Sequence, residues 1–323
     1  PKDGRAAYYL GNALASKHRG AEALEAWRVA SRLDSGNPIA QRNLALALWQ
    51  VGKNRTEAVA AYERAIGLAK DDFHLYVELD RLLAEMGATE RRIKLLEGVP
   101  SALRTRSAIV QSLAASYVEA KRFQDAIALL QKSSITSGEG EFGALAIYRK
   151  ACLGLAGKFA AEGKHAEAAA EYLRAVEYPS NFGVGRSSTE SHAGEYVAAA
   201  REYEAAGDRN AAESVWKRAA AEPLGSPTEP TERWSEHYYY KALAFDRTGR
   251  KEEARSIYSR LAALIDDKRM MEAESSPPSG AIRFLLAGLG LKGLGQSEQA
   301  RAAFQRVLKI DPQNERAKAE LEK

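Results

Sequence analysis

AYYLGNALASKHRGAEALEAWRVASRLD, residues 7–34, carries apolar side chains at Leu10, Leu14, Ala23, Trp27 and Ala30. That spacing follows the period of an α-helix, and the Arg19-Gly20 turn divides the stretch into two segments of about a dozen residues each. The stretch predicts a helical hairpin. Outward from it, Ala23 is the first occurrence of one recurring position, met again at Ala58, Arg92, Ala126, Ala168, Ala212, Ala254 and Ala300. Counting back 13 residues from each, and 14 from Ala58, reaches Leu10, Leu44, Leu79, Leu113, Leu155, Ala199, Lys241 and Ala287. Hairpins that keep one register predict a stack in which each unit buries its apolar face against its neighbours.

The second unit carries Leu44, Ala45, Leu48, Ala58, Tyr62 and Ala65, with one extra residue in its turn around Asn54. The third is degenerate, with Leu79, Asp80, Leu83, Arg92 and Leu96, yet it keeps register. The later units place Ala114, Ala156, Ala200, Ala242 and Gly288 opposite their recurrent alanines, and Pro312 follows the eighth. Small side chains where two helices cross let the backbones approach, while a large side chain such as Trp27, Tyr62, Tyr172, Trp216, Tyr258 or Phe304 fills the space beside the crossing. This pattern resembles the tetratricopeptide repeat. The resemblance implies an all-α fold, a right-handed α-solenoid of about eight hairpins plus a C-terminal capping helix. The expected layout is a single solenoid over 1–323, with regular repeats at 4–133, longer inter-hairpin loops at 134–312 and the cap at 313–323.

Composition narrows the function. The 323 residues hold 47 Lys and Arg against 43 Asp and Glu, a net charge of +4, too small to argue for nucleic acid or a membrane surface. A single cysteine, Cys152, excludes an internal disulfide framework and leaves the compartment open. No apolar run approaches the roughly 18 to 20 residues of a membrane span. The start, PKDGRAAYY, has neither an initiator Met nor a signal-peptide core, which predicts a piece of a longer chain, whereas the polar end QNERAKAELEK predicts a cap and a natural C-terminus near Lys323.

From the fifth unit on, the period stretches. The extra residues fall at 134–143, 178–190, 222–232 and 266–280, where Gly, Pro, Ser and acidic residues predict loops. Loops held on a rigid stack are frequent places for function, and equally frequent tolerated insertions. Two of them carry a further resemblance. GEGEFGALAIY at 138–148 and GKHAEAAAEYLRAVEYPSNFGVGR at 163–186 are similar to the tetratricopeptide tail of large bacterial proteins whose N-terminal part is a β-sandwich-type domain of unknown function. In that family the second loop reads Tyr-Pro, Asn, an apolar residue, then Gly-Glu-Gly-Lys. Here Tyr178, Pro179, Asn181, Phe182, Gly183 and Gly185 match, Val184 replaces the acid and Arg186 the lysine. The resemblance runs from Tyr9-Leu10-Gly11-Asn12 through Arg42-Asn43-Leu44-Ala45 to about Glu222. It implies an accessory role beside an upstream domain and no established reaction, with Glu139, Gly140, Asn181 and Arg186 as candidate loop-surface residues.

The tetratricopeptide arrangement further implies a concave face lined by the first helix of each unit. That places Tyr8, Asn12, Arg42, Asn43, Trp49, Arg81, Gln111 and Tyr239 as candidate partner-binding residues, with exposed Tyr8, Trp49 and Tyr239 beside Arg42 and Arg81 as the anchors a peptide groove favours. A Trp or Tyr at helical spacing also packs simply against its neighbouring repeat. The carboxylate clamp of some relatives is incomplete: Asn12 and Asn43 occupy its amide positions, but Tyr8, His74 and Glu78 stand where cations are needed, and Glu78 repels an anion. Backbone amides around Gly138 to Gly140 or Gly183 to Gly185 have neither the flanking elements nor the spacing of a phosphate loop. RNA-reading repeats require a recurrent code, which Tyr8, Arg42, Val77, Gln111, Leu153, Val197, Tyr239 and Leu285 do not provide.

Catalysis finds no foothold in the pattern. His18, His74, His165, His192 and His237 fall on five different hairpins, no HExxH occurs, and Cys152 has the apolar surroundings of an inert thiol. The expectation is a non-enzyme with no metal and no cofactor. It acts as a scaffold that binds a protein or peptide segment in its groove, with no nucleic acid and no membrane. The alternative is a non-catalytic module packing against the protein's own N-terminal region in a larger, carbohydrate-active or other, bacterial protein.

Overall fold

Short polar side chains start the helices. Asp3 accepts from the backbone N–H of Arg5, Asn37 from those of Ile39 and Ala40, and Asp72 from that of His74, each just ahead of the first helix of a hairpin. Asn54, Asp208 and Asn314 do the same for Glu57, Ala211 and Ala317. Each such cap satisfies a donor that the helix leaves open. Asn54 is doubly engaged, accepting from Glu57 N at 3.1 Å and donating to the Glu57 carboxylate at 3.1 Å. Asn54→Ala is therefore expected to cost about 1 kcal/mol in thermal or urea unfolding; an unchanged midpoint would mean that the cap is idle.

The computed structural model describes residues 3–135, 141–224, 235–266 and 277–322. Among them are 17 α-helices and no strand, an all-α helical-repeat solenoid. Between the two helices of every hairpin the chain passes through one left-handed residue: His18, Lys53, Gly87, Lys121, Gly163, Gly207, Gly249 and Gly295. The turn of the first hairpin thus centres on His18. Gly20, expected in the turn, instead opens the second helix, Gly20–Leu33, because the left-handed step at His18 already reverses the chain.

Two compact units divide the chain, Pro1–Gly154 with Tyr178–Val184, and Leu155–Glu177 with Gly185–Lys323. The first holds the hairpins Gly4–Ser16/Gly20–Leu33, Pro38–Gln50/Arg55–Leu68, Phe73–Glu85/Thr89–Glu97 and Ser107–Glu119/Phe123–Lys132. Each second helix packs on the next hairpin's first helix. Ala23, Ala45, Ala58, Ala114 and Ala126 sit at the crossings with no exposed surface, and Tyr62 fills the space beside one of them, itself fully buried. The third crossing differs. Asp80 and Arg92 replace the small pair and remain 3% and 4% exposed.

The second unit repeats the scheme with Ala193–Ala205/Arg209–Ala221, Glu236–Arg247/Lys251–Ala263 and Pro277–Gly293/Ser297–Ile310. Ala200, Ala212, Ala242, Ala254 and Ala300 are buried at its crossings. The terminal helix Glu315–Leu321 seats Ala317 in this core and draws Glu320 into ion pairs with Lys292 and Arg316.

Helix Glu141–Ala161 begins inside the segment read as the 134–143 loop, and Pro277–Gly293 begins inside that read at 266–280. Glu at a helix start complements the helix dipole, and Pro there lacks only an N–H that would have no partner. Residues 136–140, 225–234 and 267–276 lie outside the described residues, and so do the Glu139 and Gly140 candidates.

Candidate functional site

The first helices of hairpins one to three meet along a line of polar side chains. Asn43 donates its amide to Asn12 at 3.2 Å, and Asn12 accepts from the Trp27 indole at 3.1 Å. One step on, Arg42 forks onto Glu78, with its Nε 2.9 Å from one carboxylate oxygen. Hydrogen bonds from Glu78 hold the Arg42 guanidinium above its already high ordinary pKa. At the far end, Glu85 accepts from the Trp49 indole at 3.0 Å and from Arg55 at 3.2 Å. Both cross-repeat pairs, Arg42 with Glu78 and Trp49 with Glu85, are separated by 36 residues.

Glu78, Arg81 and Glu85 follow one another at helical spacing on Phe73–Glu85, so Arg81 stands between two carboxylates that are already satisfied by other donors. Arg81 is exposed and makes no ion pair among the described residues. Trp49, Gln50, Lys53, Arg55 and Glu85 line a polar concavity beside it. Three arginines and Lys53 face two glutamates on this strip, leaving it net positive around a half-buried indole. Such a surface can hold a carboxylate at Arg81 and Lys53 and an apolar side chain on the Trp49 ring.

The remaining candidates separate into three groups. Tyr8 is half-buried, its ring 5.4 Å from that of Tyr9 in an edge-on contact. Gln111 is half-buried too, and its Oε1 lies 2.6 Å from where a Cβ on Gly143 would stand. Tyr239 corrects the expectation of an exposed anchor. It is 5% exposed, its ring 6.0 Å from that of Tyr258, and burial raises its pKa. Its helix, Glu236–Arg247, is covered by both Lys251–Ala263 and Pro277–Gly293, so a tyrosine at this register position becomes core.

Asn181 and Arg186 are engaged within the fold. Asn181 donates to the carbonyls of Leu130 and Ser133 at 2.9 and 2.7 Å, while its own carbonyl accepts from Ile135. It therefore ties off the end of helix Phe123–Lys132, satisfying carbonyls that a helix terminus leaves open. In the other unit Arg186 pairs with Glu222 at 2.5 Å, and the same carboxylate accepts from His192 N at 2.6 Å.

Residues missed in the sequence are Glu78, Glu85, Arg55 and Lys53. A signal existed for the first two. Acidic residues recur one repeat plus one residue after Arg42 and Trp49, which is the offset at which neighbouring first helices touch. Among the described residues no three or more His, Cys, Asp or Glu side chains gather as a metal site, and no helix is long and apolar enough to cross a membrane.

Comparison with known proteins agrees with this geometry. Tetratricopeptide repeat models match residues 8–73, 238–264 and 284–314. No curated protein matches the sequence. Among solved structures, a tetratricopeptide repeat protein from Parabacteroides merdae ATCC 43184 aligns over 100% of this chain and 98% of its own, at 14% identity and a TM-score of 0.41. The structure of Naa15/Naa10 bound to HypK-THB aligns over 99% of this chain and 55% of its own, at 14% identity and a TM-score of 0.50. YrrB, a repeat protein with an unusual peptide-binding site, covers 54% of this chain and 86% of its own at 14% identity, with a TM-score of 0.40. At these identities the likeness is one of fold.

Proposed function

We propose, this chain being a tetratricopeptide-repeat protein and hence a protein-interaction module, that it binds an extended acidic segment of a partner protein on the inner face of hairpins one to three. The observation that carries this reading is Arg81, an exposed cation set between two glutamates that other donors already hold, one helical turn from the Trp49 concavity. A carboxylate of the partner meets Arg81 and Lys53, and an adjacent leucine or phenylalanine covers the Trp49 indole. The scaffold loses little freedom on binding because Arg42, Glu78, Glu85 and Arg55 already brace one another; the partner segment still loses its own. No residue of this surface is given a catalytic role.

An array of short synthetic peptides combining Asp or Glu with Leu or Phe, titrated by fluorescence anisotropy, tests the proposal. Trp49→Ala and Arg81→Glu are each expected to weaken the best peptide by about 10-fold or more, near 1.4 kcal/mol, with helicity by circular dichroism unchanged. Peptides that bind equally to wild type and Arg81→Glu would sink the acidic-segment reading, and loss of helicity in Trp49→Ala would identify Trp49 as core.

A further inference from the structure

Register equivalence within the first unit exposes a second, different surface. Leu10 and Leu14 of hairpin one correspond to Leu44 and Leu48 of hairpin two, and to Leu79 and Leu83 of hairpin three. The later four are 4%, 0%, 1% and 2% exposed, because the second helix of the preceding hairpin lies over them. Leu10 is 45% exposed and Leu14 half-buried. Beside them Tyr9 is 68% and Leu33 50% exposed. With Val29 they border an apolar groove between Gly4–Ser16 and Gly20–Leu33. The shape and chemistry of this groove are those that receive a helix everywhere else in the unit.

Charge decides which helix. Along Gly20–Leu33 the stripe that faces the groove runs Glu22, Glu25, Val29, Arg32, with acids at the start and a base at the end. Arg32 is exposed and makes no ion pair among the described residues. Two such helices laid antiparallel place the Arg32 of each against Glu22 and Glu25 of the other, and they oppose their dipoles as well. A parallel arrangement would bring like charges together. Ion pairs between neighbouring second helices are already a habit of this unit, as Arg28 with Glu57 at 2.7 Å and Arg91 with Glu63 at 3.0 Å show. Glu22 and Glu25 hold only exposed local partners, Arg19 and Arg28, and such pairs are readily shared.

We infer that this face receives the same face of a second copy of the chain, about a two-fold axis that buries Leu10 and Leu14 of both. The contact is isologous, so it closes as a dimer and leaves the inner face of each copy open.

Sedimentation of the 323-residue chain over a dilution series tests this. The wild type should show a monomer–dimer equilibrium. Leu10→Glu should be monomeric over the same range with its helicity intact. Arg32→Glu should raise the dissociation constant by about 10-fold or more, and adding Glu22→Arg should restore it to within about threefold of wild type. This exchange of surface charges decides the matter even if Leu10→Glu fails to fold. A wild type monomeric up to about 100 μM overturns the proposal, since another occupant would then cover the groove. A dimer indifferent to both Leu10→Glu and Arg32→Glu overturns it equally, placing the interface elsewhere.

Discussion

Arg92→Ala is expected to lower the unfolding free energy by about 3–5 kcal/mol. At every other crossing the recurring position holds alanine, but here a guanidinium 4% exposed is wedged between helices. Its Nε lies 2.8 Å and one Nη 3.2 Å from the two oxygens of Asp80, itself 3% exposed, and its other Nη reaches Glu119. Burial alone would lower the Arg92 pKa; the hydrogen bonds from Asp80 and Glu119 outweigh it, and the pKa stands raised. Truncation would leave the Asp80 carboxylate buried without a cation, and that uncompensated charge is the source of the large cost. Removing the whole pair should behave differently. Asp80→Ala combined with Arg92→Met keeps most of the volume and restores an apolar crossing, so it should be near neutral or stabilising. Urea unfolding of the three variants at matched slope separates the cases. A double variant as unstable as Arg92→Ala would show that the pair contributes attraction beyond mutual compensation.

Because hairpins within a unit contact mainly their neighbours, the first sign of that loss should be faster amide exchange in Phe73–Glu85 and Thr89–Glu97, ahead of global unfolding. The same neighbour-only logic explains what the sequence made legible. A small residue at a crossing is a local requirement repeated in every unit, so Ala23, Ala58 and Ala126 announced the register on their own, and Arg92 could be placed by counting. The buried ion pair needed only Asp80, already noted one turn away from Leu83. The left-handed turn was half visible: glycine marks it at Gly87, Gly163, Gly207, Gly249 and Gly295, whereas His18, Lys53 and Lys121 adopt the same conformation with no sequence mark. There tertiary packing imposes a conformation that costs about 1–2 kcal/mol for a residue with a Cβ. The inner face was legible as a set of positions but not as a network. Register alone put Arg42 and Trp49 on it; it could not say that Glu78 and Glu85 would hold them, nor that the helices packed on Glu236–Arg247 would turn Tyr239 into core. Asn181 was noticed through a resemblance, while its role, closing carbonyls of a helix 48 and 51 residues earlier, is a long-range contact that no local pattern carries.

Gly290→Ala is expected to destabilise the second unit, although alanine is the better helix former by about 1 kcal/mol. Gly290 lies inside Pro277–Gly293, where that helix crosses Lys251–Ala263. A Cβ there would stand 2.5 Å from Ala262 N, 2.7 Å from Leu261 Cβ and 2.7 Å from Tyr258 O. Two of those three atoms are backbone, so no side chain can rotate away and the helices must separate. Forced separation in a packed core costs about 1–3 kcal/mol, enough to cancel the propensity gain and leave a net loss. Gly157→Ala supplies the control. It also lies inside a helix, Glu141–Ala161, but nothing stands within 4 Å of its added Cβ, so only the propensity acts and a gain of about 0.5–1 kcal/mol is expected. Thermal midpoints should therefore move in opposite directions for the same chemical change. If both rise, the Gly290 crossing has slack, and the glycine reflects the path of evolution rather than a demand of the two backbones. If Gly290→Ala falls while Gly157→Ala rises, glycine there is a steric requirement, set by how closely the eighth hairpin approaches the seventh.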